Sequence, residues 1–182
     1  MIIKNGKGGI DMLSDLEAAL NEQMNFELLS AHYYFAMAGY CKEEDLDGFA
    51  HFFWQQAEEE KFHAEKFFTF INEIGGRAEF GQIDKPQNEF ESITEVVETA
   101  LEHEKKVTQR INELMDLAQE ENEYAVINFL NWFVEEQVEE EDTMQGILNK
   151  LNRFGANSNG LFRLDTKMAE RTFERPADAE EI

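Results

Sequence analysis

Four long windows of this chain, at about residues 12–41, 47–74, 92–121 and 125–153, carry apolar side chains every three to four positions, with few residues inside them that break a helix. Pro86 and Pro176 are the only prolines, and the glycines concentrate near residues 6–9, 75–81 and 155–160. Both residue types are costly inside helices, so the pattern predicts an all-α chain whose breaks fall between the windows. A short fifth helix is expected over about 160–174. At 182 residues the chain is long enough to bury a sizeable core and short enough to be one domain.

The links between windows set the topology. Those near residues 42–46 and 122–124 are short, so each joins antiparallel neighbours. The middle link runs from Gly75 to about Glu91 and, at about 3.3 Å per extended residue, reaches roughly 55 Å. The second helix is only about 40 Å long. The link can therefore return along the whole bundle and leave helices two and three parallel, giving a four-helix bundle with one long crossover.

Each helix then shows the same anomaly. The first has a spacing-seven series Leu13, Leu20, Glu27, Tyr34, Cys41 beside Met24, Ala31 and Ala38. The second has Phe53, Glu60, Phe67, Ile74 beside Ala57, Ala64 and Ile71, with His63 one turn from Glu60. The third has Val97, Glu104, Ile111, Ala118, and the fourth Val126, Phe133, Glu140, Ile147 beside Leu130, Gln137, Met144 and Leu151. One acid in an apolar stripe can snorkel outward from the margin. Four of them at the midpoints of four helices coincide in face and in height. Buried carboxylates without partners cost several kcal/mol each, and no basic residue is expected at these heights on the core stripes. A multivalent cation is the natural compensation. Oxygen donors with one imidazole suit iron or manganese, iron before manganese, better than structural zinc. Glu60 and His63, at i and i+3, share one helix face.

Charge and cysteine content bound the remaining classes. The balance of 39 acidic to 16 basic residues gives a net charge of -23, which repels nucleic acid and anionic membrane surfaces and favours cations. No window approaches the roughly 18 uninterrupted apolar residues of a membrane span. The lone Cys41 cannot form an internal disulfide and the opening MIIKNGKGG lacks the apolar run of a secretory signal, so a cytoplasmic location is expected.

The blocks LNEQMNFELLSAHYY, QQAEEEKFHAEKF, EHEKKVTQRINEL and FLNWFVEEQVEEED resemble the bacterial and archaeal non-haem ferritin family over about residues 12–168. The resemblance implies a ferritin-like fold, with residues 1–10 an N-terminal extension and 175–182 a loose acidic tail. It implies a ferroxidase centre in which one iron is held by Glu27, Glu60 and His63 and a second by Glu60, Glu104 and Glu140, with Gln137 beside the pair. Glu59, Glu136 and Glu139, sharing Glu140, match a nearby third iron site, although EEE and VEEED are also ordinary acidic helix surface. Tyr34 matches a tyrosine that supplies an electron, and by periodicity alone is a core aromatic. Trp132 matches a tryptophan near the site, which packing explains equally well. His32, His51 and His103 fall off the core stripes and are expected to face solvent.

Helix four offers Gln137-x-x-Glu140 where the general two-iron pattern repeats Glu-x-x-His. That departure speaks against bacterioferritin and radical-generating oxygenases and for a loosely held second iron. Lys61 follows Glu60 where bacterioferritin has its haem-ligating methionine, so no haem is expected. The resemblance further implies O2 or H2O2 as oxidant and a cage of 24 subunits storing a ferric mineral. Two rivals are a rubrerythrin-type diiron oxidase or peroxidase, which often adds a four-cysteine iron site, and a DNA-coating mini-ferritin, which places iron between subunits. One cysteine, an acidic tail and a complete ligand set within one bundle speak against both.

Overall fold

The computed structural model describes residues 9–154 and 158–175. Five helices follow in order, α1 Gly9–Glu43, α2 Asp47–Glu73, α3 Ile93–Glu121, α4 Tyr124–Phe154 and α5 Ser158–Met168, with no strand among the described residues. The long helices lie within a few residues of their expected bounds. Residues 1–8 of the expected N-terminal extension, and the tail beyond Arg175, lie outside the described residues, as does the Leu13 side chain; Gly9 and Ile10 already belong to α1.

Helix ends are set by local chemistry. Ser92 caps α3, its hydroxyl accepting from the Glu95 amide at 3.3 Å while the Glu95 carboxylate reaches back to the Glu91 amide. Asn122 closes α3 in the left-handed region at φ 59°, and the Glu123 amide then reaches Ala118 O at 2.9 Å. The first turn of α2 has no capping side chain of its own at Leu46. Instead Asp165 of α5 accepts from the Phe49 amide at 2.9 Å. This contact needs Gly48: a Cβ there would sit 1.7 Å from the Asp165 carbonyl oxygen.

The crossover runs along α1. Glu17, Asn21 and Asn25, each one helical turn apart, accept from the amides of Arg77, Glu79 and Gly81 at 2.8, 2.6 and 2.7 Å. Asn21 and Asn25 also donate to the Arg77 and Glu79 carbonyls. Four helical residues advance about 6 Å and two extended residues about 6.6 Å, so the two repeats stay in step. The crossover thus climbs in the direction of α1, as the expected parallel pairing of α2 and α3 requires.

Two apolar clusters fill the bundle. One holds Tyr34, Met37, Cys41, Phe49, Phe53, Val97 and Met144, and the other Leu20, Met24, Phe67, Ile71, Ile111, Leu130 and Phe133. Between them lies a buried polar layer containing Glu27, Glu60, His63, Glu104, Gln137 and Glu140.

The fifth helix is shorter than expected. It stops at Met168, and residues 169–175 form a strap laid back on α2. Phe173 of this strap sets its ring against Phe62 at 5.7 Å. Its amide donates to Gln55 at 2.8 Å, and His51 Nε2 donates to the Arg171 carbonyl at 2.8 Å. No helix among the described residues is long and apolar enough to cross a membrane.

Candidate metal centre

The polar layer is built because each long helix brings one acid to the same height. Glu27, Glu60, Glu104 and Glu140 are all buried, as is His63. Among the described residues, two groups have ligand atoms mutually within 4.8 Å: Glu27, Glu60 and His63, and Glu59, His63 and Glu136. His63 belongs to both. Its Nδ1 lies 3.3 Å from Glu60 Oε2, its Nε2 has no hydrogen-bond partner, and its ring is packed edge-on against Trp132 at 5.4 Å and Phe133 at 5.8 Å.

Glu104, Glu140 and Glu27 itself are also held by hydrogen-bond partners. Glu104 accepts from the Tyr34 hydroxyl on one oxygen and from Gln137 at 3.1 Å on the other. Glu140 accepts from Gln56 at 2.8 Å. Glu27 accepts from Gln23 at 2.9 Å on Oε1, and its Oε2 is buried without a partner. Gln23 is oriented in turn by Arg110, whose Nε donates to it at 2.9 Å.

Electrostatics follow from this crowding. Burial pushes the Glu27 carboxyl up to about 7 against the hydrogen bonds from Gln23 and Glu60, and lifts Glu104 to about 7 against those from Tyr34 and Gln137. Burial, then the charge of Glu104, holds Glu60 and Glu140 well above the usual carboxylate range. Burial, then Lys66, lowers His63 to about 3, so its imidazole is neutral and available as a ligand near pH 7. Tyr34 stays protonated, burial and then the surrounding carboxylates raising it well above its ordinary value. A layer of acids that resist ionising, with an orphaned carboxylate oxygen and an orphaned imidazole nitrogen, fits a multivalent cation.

The second group differs from the expected third site. Glu59 is buried and Glu136 half-buried, but Glu139 is exposed and outside both groups. No basic residue is expected at this height on the core stripes, and the one that reaches it comes from beyond the four helices: Arg171 of the strap pairs with Glu59 and lies 3.8 Å from Glu140. His103 also departs from expectation. It is buried, with Nε2 2.7 Å from Ser30 Oγ and its ring stacked on Phe26 at 5.2 Å, because α1 covers that flank of α3. His51 is half-buried under the strap, and His32 is exposed.

Gln23, Gln56, Arg110 and Arg171 escaped the sequence reading. The two glutamines had a usable signal, since each stands one turn before a core acid on its own helix, Gln23 before Glu27 and Gln56 before Glu60. Arg110 and Arg171 had none, because long side chains reach the layer from outside the stripes.

Known proteins are similar to this chain over most of its length. The bacterial non-haem ferritin of Staphylococcus aureus is 46% identical over 164 residues, covering 90% of this chain and 99% of the relative, and that of Staphylococcus haemolyticus is 47% identical over the same span. Among solved structures, an engineered closed form of the Archaeoglobus fulgidus ferritin superposes with a TM-score of 0.87 at 39% identity, over 88% of this chain and 98% of that one. A humanised archaeal ferritin gives 0.88 at 41%, with the same coverage. The ferritin-like domain family matches residues 17–154, a span that includes all four acid-bearing positions of the polar layer, and the chain belongs to the ferritin family.

Proposed function

We propose that the chain is the subunit of an iron-storage ferritin that takes Fe(II) into the mid-bundle layer, oxidises it and passes ferric iron to a mineral inside a hollow cage. The observation that carries this reading is the layer itself: four buried acids, one from each long helix, beside a neutral buried imidazole. Glu27, Glu60 and His63 form the first iron site. Glu60 bridges to a second formed with Glu104 and Glu140, beside Gln137. Glu59, Glu136 and Glu139, with Glu140, provide a third site.

Carboxylate charge makes each Fe(II) easier to oxidise by favouring the higher charge that develops. Two irons give two electrons to O2, which takes two protons and leaves as H2O2, or to H2O2, which takes two protons and leaves as two waters. The acids release protons as they take up iron, and solvent returns the two protons that the reduced oxidant takes. Tyr34, donating to Glu104, is the proposed extra electron donor: with one electron from it and one from an iron in the third site added to the two from the pair, O2 takes four electrons and four protons and leaves as two waters. Membership of the ferritin family supports reading the assembly as a homo-oligomer of 24 subunits, and a lone buried cysteine suits the cytoplasm.

The test is aerobic Fe(II) addition to wild type and Glu60→Ala, followed by ferric absorbance and particle size. Rapid oxidation by wild type alone, with a growing iron core in a large assembly, is expected. Equal rapid oxidation by both proteins overturns the site, and a monomer or dimer without a core overturns storage.

A further inference from the structure

The strap carries Arg171 to the place where the second group of ligands would take a cation. Its Nη2 pairs with Glu59 and stands 3.8 Å from Glu140 Oε1. The fit is incomplete. Arg171 Nε is buried without a partner, and so is His63 Nε2, although His63 lies within ligand distance of Glu59 and Glu136. One nitrogen of a planar five-donor fork is therefore spread between two carboxylates, while the imidazole of the same group is unused.

We propose that Arg171 is a tethered cation that competes with a metal ion for the Glu59, His63, Glu136 and Glu140 cluster, so that a metal ion entering the cluster expels the guanidinium and releases the strap. A guanidinium can accept nothing from His63, whereas a metal ion takes both the imidazole nitrogen and the carboxylates. The metal thus gains a ligand that Arg171 leaves idle.

The strap is suited to release because its anchors lie outside the bundle core. They include the His51 to Arg171 carbonyl bond, the Phe173 amide to Gln55 bond, the exposed Arg175 to Glu65 pair, the Phe173 ring on Phe62, and the guanidinium groups of Arg171 and Arg175 over the Phe52 and Phe62 rings. Losing them leaves both apolar clusters of the bundle intact. Competition is reciprocal, so metal in the cluster loosens the strap as much as a loosened strap tightens metal. The consequence is that the cluster stays closed until the metal supply overcomes Arg171, and, a neutral imidazole having one lone pair, His63 then serves either this cluster or the diiron pair of the reading above, not both at once. The competition itself does not rest on that reading.

The experiment uses the full-length assembled protein, free of metal, and Zn2+, which is redox-inert. Calorimetric titration of wild type, Arg171→Gln and Gln55→Ala is compared with Glu136→Gln, which identifies the binding event belonging to the cluster. Hydrogen exchange at the Phe173 amide is followed through each titration. We expect Arg171→Gln to tighten the cluster event about tenfold or more and Gln55→Ala, which frees the strap without touching an acid, to tighten it in the same direction. In wild type, Phe173 exchange should rise as that event saturates. An affinity equal in wild type and Arg171→Gln, exchange at Phe173 indifferent to Zn2+, or no event lost in Glu136→Gln overturns the proposal. The diiron reading fails separately, if Glu60→Ala leaves the other binding events unchanged.

Discussion

Gln23 donates to Glu27 Oε1 at 2.9 Å from one helical turn away and leaves Glu27 Oε2 aimed into the core with no partner. The amide is itself held by Arg110 at 2.9 Å, so the chain of contacts runs from a half-buried cation, through a neutral amide, to a buried ligand oxygen. Such supporting bonds fix a ligand's orientation and are worth about 10–100-fold in metal affinity. Gln23→Leu should weaken the Fe(II) site at Glu27 by that order in anaerobic titration, and Arg110→Leu should weaken it less. Unchanged affinity in Gln23→Leu would mean that Glu27 is positioned by packing alone.

Tyr34 is fully buried, and its hydroxyl donates to Glu104. Tyr34→Phe keeps the ring and removes the donor, leaving one Glu104 oxygen less well held at a cost of about 1–3 kcal/mol in thermal unfolding of the metal-free protein. By the same supporting-bond argument, Fe(II) affinity at the Glu104 site should fall by about 10-fold or more, while single-turnover oxidation at saturating Fe(II) slows if the hydroxyl supplies an electron. A variant that oxidises at the wild-type rate would reduce Tyr34 to a structural hydrogen-bond donor.

Gly48 is where α5 is joined to the bundle. A Cβ would lie 1.7 Å from the Asp165 carbonyl oxygen and 2.5 Å from its carbon, so α5 must move away and take Asp165 from the Phe49 amide. Gly48→Ala should therefore destabilise by at least about 2–3 kcal/mol, with proteolysis of residues 158–175 appearing before global unfolding. Asp165→Ala, which removes only the capping bond, should cost about 1 kcal/mol. Equal effects of the two would show that close approach adds nothing beyond the cap.

Much of this was legible because helical period and helix midpoint are both properties of spacing. Glu27, Glu60, Glu104 and Glu140 could be placed on a face and at a height by counting, and the crossover by its reach. What spacing could not convey is reach from the side. Arg171 follows the last helix by three residues, and only the turn after Met168 directs it back onto α2. His103 was misread because the stripe rule treats a helix flank as solvent, whereas neighbouring α1 covers that flank with Phe26 and Ser30. The ladder of Glu17, Asn21 and Asn25 under the crossover was visible as a four-residue repeat of polar side chains, but its partner is an extended backbone with no periodicity of its own.

The metal-free protein should lose stability as pH rises through neutrality. Burial raises Glu27 and Glu104 to about 7 and holds Glu60 and Glu140 well above their usual value. The folded chain therefore keeps protons on these acids that the unfolded chain releases at its ordinary carboxylate range, about 4.5. Their contribution is complete below that range and disappears as pH climbs through the raised values. His63 and His103, lowered to about 3 and about 4, act in the opposite sense, since the unfolded chain binds protons there that the folded chain refuses. Up to about 6.5 the two histidines offset part of the loss from the four acids; above it the unfolded imidazoles are neutral too, and the decline steepens. Metal reverses the trend, because it binds the ionised acids and the neutral imidazole that rising pH supplies. Unfolding curves of metal-free and Zn2+-loaded protein should accordingly separate by more at about pH 7.5 than at about pH 5, and Glu60→Gln should flatten the metal-free curve. A metal-free protein that gains stability steadily from about pH 5 to about pH 7.5 would show that the acid layer ionises freely. The need for a cation to complete the layer would then disappear.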